Sequence, residues 1–79
     1  MRVIGEIPHS FCRITLFSWN DRYLIKLEHG FFEQTFKINT TELTSEKELF
    51  TIIDQKFIEE AVSRFDLMAQ SLQEALQRA

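Results

Sequence analysis

Residues 45–79 read SEKELFTIIDQKFIEEAVSRFDLMAQSLQEALQRA, and no glycine or proline follows Gly30 anywhere in the chain. Phe50, Ile53, Phe57, Ala61, Phe65, Met68, Leu72 and Leu76 step by three or four residues, the spacing that lines up one face of an α-helix. Leu49, Ile52, Ile58, Val62, Ala69 and Ala75 widen that stripe, and only Leu67 falls well outside it. The stretch therefore predicts one long amphipathic helix, or two abutting ones. Ser45 stands at the N-cap position with Glu48 three residues on, the pattern of a capping box. Glu46 and Glu48 suit the positive end of the helix dipole and Arg78 the negative end. Glu60 with Arg64 and Glu74 with Arg78 are i,i+4 pairs on the polar face, each adding about 0.3 kcal/mol if formed.

Unbroken from Glu46 to Arg78, this helix would be roughly 50 Å long at 1.5 Å per residue. A strand of eight residues spans only about 27 Å. A small sheet then covers about half of the stripe, which leaves two solutions. Either the helix breaks near Thr51–Asp54, where Ile52 and Ile53 follow a threonine and Asp54 can recap, or a second chain covers the remainder. The second chain is the expectation.

Working back from the helix, residues 11–38 hold three β-rich runs separated by the turn candidates Asn20-Asp21 and His29-Gly30. These residue types tolerate the positive φ of a type I′ hairpin turn. A loop at 20–21 pairs Leu16 with Ile25, Ile14 with Leu27 and Cys12 with His29 on one face, and Trp19 with Arg22, Phe17 with Leu24, Thr15 with Lys26 and Arg13 with Glu28 on the other. A loop at 29–30 pairs Leu27 with Phe32, Ile25 with Gln34 and Tyr23 with Phe36, and sets Lys26 against Glu33. Both turns put the same apolar face inward, whereas a one-residue slip would mix the faces. Val3, Ile4 and Ile7, ended by Pro8, suggest a further short strand. The expected fold is α+β: a three- or four-stranded antiparallel β-meander over residues 1–38, a linker at 39–44, and a long C-terminal helix at 45–79, possibly broken, packed on one face of the sheet.

The chain has 79 residues, a net charge of −3 and eight phenylalanines. A domain this short buries only about 60% of the surface its unfolded form exposes, so oligomerisation is a natural source of further burial. Residues 1–38 carry five basic against four acidic side chains and residues 39–79 four against eight, so the sheet half is near neutral and the helix half acidic. That balance argues against a general binder of nucleic acid or anionic membrane. With no apolar leader and no run long enough to span a bilayer, the cytoplasm is the expected location.

Chemistry has little to work with. Cys12 and His29 are cross-strand neighbours in the register above, and a thiol beside an imidazole can become a nucleophile. Yet Cys12 alternates with Ile14 and Leu16 on the buried face, and His29 serves the turn. Two histidines and one cysteine fall short of a closed zinc site, and two glycines cannot build a phosphate cradle. No catalytic residue, metal or cofactor is expected. The outer face of the sheet collects Phe11, Phe17, Trp19, Leu24 and Phe31 among Arg13, Arg22, Lys26 and Lys37. Aromatics interleaved with cations can stack single-stranded nucleic acid, but Glu28 and Glu33 neutralise two of the cations.

The run Pro8-His9-Ser10-Phe11-Cys12-Arg13-Ile14-Thr15-Leu16-Phe17-Ser18-Trp19-Asn20, followed by Tyr23-Leu24-Ile25-Lys26 and Glu33-Gln34-Thr35-Phe36-Lys37, resembles a small group of short uncharacterised bacterial proteins. The resemblance covers most of the chain. It implies a compact stand-alone bacterial protein and carries over no catalytic or binding residue.

The sequence thus leads to a small cytoplasmic protein-interaction module, homodimeric and without catalysis. Phe17, Trp19, Arg22 and Leu24 on the sheet and Phe65, Met68, Leu72 and Leu76 on the helix are its candidate contact residues. Single-stranded nucleic-acid binding through the sheet's outer face is the alternative.

Overall fold

The computed structural model describes all of residues 1–79. Four strands, β1 (Arg2–Ile7), β2 (Arg13–Trp19), β3 (Arg22–His29) and β4 (Phe32–Asn39), form one antiparallel sheet in sequence order. A 3₁₀ turn at Thr40–Glu42 leads to α1 (Lys47–Ile52) and then to α2 (Gln55–Leu76). This is the α+β meander with a C-terminal helix, and the short first segment does add a fourth strand.

The β2–β3 hairpin has the register expected from its turn, with Leu16 opposite Ile25 and Phe17 opposite Leu24. Asn20 and Asp21 both have positive φ, as a type I′ turn requires. The β3–β4 register differs by two residues: His29 pairs with Phe32, Leu27 with Gln34 and Ile25 with Phe36. The loop is Gly30-Phe31 rather than His29-Gly30, because glycine supplies the one positive φ (59°) and histidine is spared a left-handed backbone. A shift of two preserves the faces, so the apolar side of β4 is unchanged while the cross-strand partners are not.

Ile14, Leu16, Tyr23, Ile25 and Leu27 from the sheet meet Leu49, Ile53, Ile58, Ala61 and Phe65 from the helical layer in a single core. The helix is broken where a recap was possible. Ile53 leaves helical geometry with its side chain buried, and the extended Asp54 accepts the Phe57 N–H at 2.9 Å. The break lets Leu49 and Ile53 reach the core at a different angle from Ile58, Ala61 and Phe65.

At the entry to α1, Ser45 forms no capping box. The Glu48 carboxylate instead takes both the N–H and the hydroxyl of Thr44, which holds it below the usual carboxylate range. The two i,i+4 pairs on α2 do not form as ion pairs either. Arg64 turns toward the sheet, donating from Nε to Gln34 Oε1 at 2.9 Å, and Arg78 reaches the Glu74 backbone carbonyl.

Candidate interaction surface

Arg64 and Gln34 are the clamp that positions the surface. Gln34 also donates to the Ala61 carbonyl at 2.8 Å, so both ends of its amide tie β4 to α2. The Arg64 guanidinium lies 5.6 Å over the Phe36 ring, and Phe36 meets Phe57 edge-on with centroids 5.3 Å apart. These contacts run α2 antiparallel along β4, from Phe57 over Phe36 to Met68 near Phe32.

Beyond Met68 the sheet ends and the helix does not. Every residue from Ala69 to Ala79 is exposed, and the helical part of this stretch, to Leu76, projects roughly 12 Å at 1.5 Å per residue. Leu72 and Leu76 continue the face on which Phe65 is buried, yet are 47% and 59% exposed. Phe31, at the tip of the β3–β4 loop, is wholly exposed at the same end of the molecule. Between the projecting helix and β4 runs an open apolar groove of about 840 Å³, floored by Phe32 and Phe36 and walled by Leu67, Met68 and Leu72. A second hollow of about 630 Å³ flanks α2 on its other side, against Phe11, His29 and Val62.

The candidate contact residues separate accordingly. Met68 and Leu72 line the groove, and Leu76 lies past it. Phe65, at 2% exposure, belongs to the core and offers no surface, a correction to the sequence reading. Its place in the stripe could not show whether that turn of helix lies over sheet or beyond it.

On the outer face of the sheet Leu24 is also buried, covered by its cross-strand neighbours Phe17 and Lys37. Phe17 is half-buried, and Trp19 stands exposed beside Arg22. Phe11 is not on this face at all. It stacks on His29 with ring centroids 3.9 Å apart and leans on Phe65. Arg13 is bonded to Glu6 at 2.9 Å and Lys26 pairs with Glu33 at 3.4 Å, so two of the four cations are already engaged. A continuous aromatic and basic track of the kind single strands stack upon is not assembled.

The thiol is likewise placed differently. His29 makes no hydrogen bond to Cys12; its Nδ1 bonds the Phe11 carbonyl at 2.8 Å. The imidazole in contact with the thiol is that of His9, whose Nδ1 lies 4.0 Å from Cys12 Sγ and already accepts the Phe11 N–H at 3.1 Å. Burial pushes the Cys12 thiol pKa up, the opposite of what a nucleophilic cysteine needs. No three His, Cys, Asp or Glu side chains converge in the fold, and no helix is long and apolar enough to cross a membrane.

One element of the surface was not singled out from sequence: the free edge of β4. Its signal is the alternation of Phe32, Gln34, Phe36 and Ile38 with Glu33, Thr35 and Lys37 in the last strand of a meander, which by its position has a neighbour on one side only. No family model, curated protein or solved structure matches this chain.

Proposed function

We propose that the chain is a small protein-interaction module that associates with itself and carries no catalysis of its own. The observation that carries the reading is the apolar stripe of α2, which runs without interruption from the core at Phe65 to the unpartnered Leu72 and Leu76. Fully burying a leucine is worth about 1.5–3 kcal/mol, and Leu72 and Leu76, about half exposed, have roughly half of that each still to gain, which matters for a domain whose own core yields only a few kcal/mol.

The overall dimensions support it. The radius of gyration is 14.3 Å, against about 12 Å for a compact domain of this length. The accessible surface is 5732 Å², against about 5000 Å² expected for a compact monomer of this mass. The lone free cysteine, buried at Cys12, suits a reducing compartment such as the cytoplasm.

Light scattering tests the reading. The wild-type protein is expected at twice its chain mass of 9.4 kDa, and Leu72→Glu with Leu76→Glu at the mass of one chain. Both side chains are exposed, so the double variant keeps its fold. A wild type that stays at one chain mass up to high concentration overturns the proposal.

A further inference from the structure

The open edge of the sheet supports an inference that rests on this self-association and specifies how it is made. β4 is the terminal strand, with eight residues, no bulge and no proline. The opposite edge is protected: β1 carries an irregularity between Val3 and Gly5, is followed by Pro8, and has Phe50 of α1 against Gly5. In the β3–β4 hairpin the two-residue loop makes His29 and Phe32 a hydrogen-bonded pair. Ladder alternation then directs Phe32, Gln34, Phe36 and Ile38 toward β3, and turns the backbone N–H and C=O groups of Glu33, Thr35 and Lys37 off the edge.

We propose that two copies pair edge to edge through β4, antiparallel about a two-fold axis at Thr35, to form one continuous eight-stranded sheet. Charge selects a second copy as the occupant. Glu33 lies directly opposite Glu28 on β3, an unfavourable like-charge pair eased by Lys26 at 3.4 Å from Glu33 and by Arg13 across the ladder from Glu28. Lys37 faces Leu24 across the ladder and makes no ion pair within the chain. With Thr35 opposite the partner's Thr35, Glu33 meets the partner's Lys37 and Lys37 meets the partner's Glu33. Lys37 thereby gains the carboxylate it lacks within the chain, and Glu33 gains a second cation beside Lys26.

The same register satisfies the backbone. Glu33, Thr35 and Lys37 all have outward groups, and each then faces a residue whose groups also point outward, so every one enters a hydrogen-bonded pair. A slip of one residue faces outward groups with inward ones. A slip of two separates Glu33 from the partner's Lys37. On the opposite face Phe32 falls beside the partner's Ile38, adding an apolar pair.

Because the axis is perpendicular to the sheet, both α2 helices stay on one face, flanking the axis. The groove at β4 then opens onto the partner's helical layer, where Met68 and Leu72 find cover. The surface in excess of a compact monomer, roughly 700 Å², is close to the about 800 Å² that each partner contributes to a standard interface.

Variants at the edge test the register, with dimer dissociation read by sedimentation. Thr35→Pro removes an N–H that bonds to nothing within the chain and is expected to give a folded monomer. Lys37→Glu alone should weaken the dimer about tenfold or more, since the two-fold repeats each like-charge contact. Glu33→Lys combined with Lys37→Glu should restore the wild-type affinity to within about threefold. Should Thr35→Pro misfold, the charge exchange decides by itself, because it leaves the backbone intact. A dimer lost with Leu72→Glu and Leu76→Glu but indifferent to the edge variants overturns edge pairing and leaves the interaction module standing. Failure of the double exchange to rescue Lys37→Glu overturns the Thr35 register. A monomeric wild type overturns both proposals.

Discussion

Phe65 and Leu72 stand seven residues apart on the same face of α2, yet one is at 2% exposure and the other at 47%. The first half of the helix lies over β4, clamped by Gln34 and Arg64, while the second half has run past the loop at Gly30-Phe31. An apolar stripe records only that something covers it. What covers it depends on where the sheet ends, a property of another part of the chain.

This contrast can be broken most directly at its two ends. Phe65→Ala removes a ring packed against Phe11 and His29 and is expected to cost about 3–5 kcal/mol, enough to unfold most of so small a domain. Leu72→Ala, measured at a dilution where only single chains persist, should change stability by no more than about 0.5 kcal/mol. Urea denaturation followed by circular dichroism compares them, and equal losses would place Leu72 in the core of the isolated chain.

A smaller effect is expected at the junction that sends α2 along β4. Asp54→Ala deletes the acceptor of the Phe57 N–H, and such a cap is worth about 0.5–2 kcal/mol. The loss should appear at every protein concentration, because the cap belongs to the covered half of the helix. Loss of stability confined to concentrations at which chains associate would place the junction in the interface instead.

The smallest effect lies at the start of α1 and depends on pH. Glu48 is held below the usual carboxylate range by its bonds from Thr44, so its ionised form is favoured in the folded state. Its contribution is fully present above the pKa of the unfolded chain and is lost as pH falls through the lower folded value. Glu48→Gln should therefore be less stable than wild type near neutrality, with the difference closing in acid. A difference that does not change with pH would mean that the carboxylate's charge is not what Thr44 recognises.

The apolar alternation of residues 11–38 was enough to orient β2, β3 and β4, since the inward set Ile14, Leu16, Tyr23, Ile25 and Leu27 lies in the core, although Thr15 and Leu24 are buried on the outer face as well. The Asn20-Asp21 turn was legible because both residues accept the same unusual backbone. The second turn was less so. His29, Gly30 and Phe31 allow two loops that preserve the faces, and only the pairing of the whole strand separates them. Cys12 and His29 were near in the expected ladder, but the ladder stops at Arg13 and Glu28, and the freed His29 ring stacks on Phe11 instead. The Thr44 contact to Glu48 was also out of reach, because a capping box at Ser45 satisfies the same local pattern.

Periodicity, turn chemistry and length, all properties of neighbouring residues, were sufficient for an antiparallel meander followed by an amphipathic helical segment with more apolar face than one sheet can cover. Which turns of that segment enter the core was decided in three dimensions. The break at Ile53–Asp54 and the clamp of Gln34 on Ala61 and Arg64 set the direction of α2, and the end of β4 sets where its cover stops. The physical reason is that burial depends on what stands opposite a side chain, and in this molecule the groups opposite α2 come from strands more than twenty residues away along the chain.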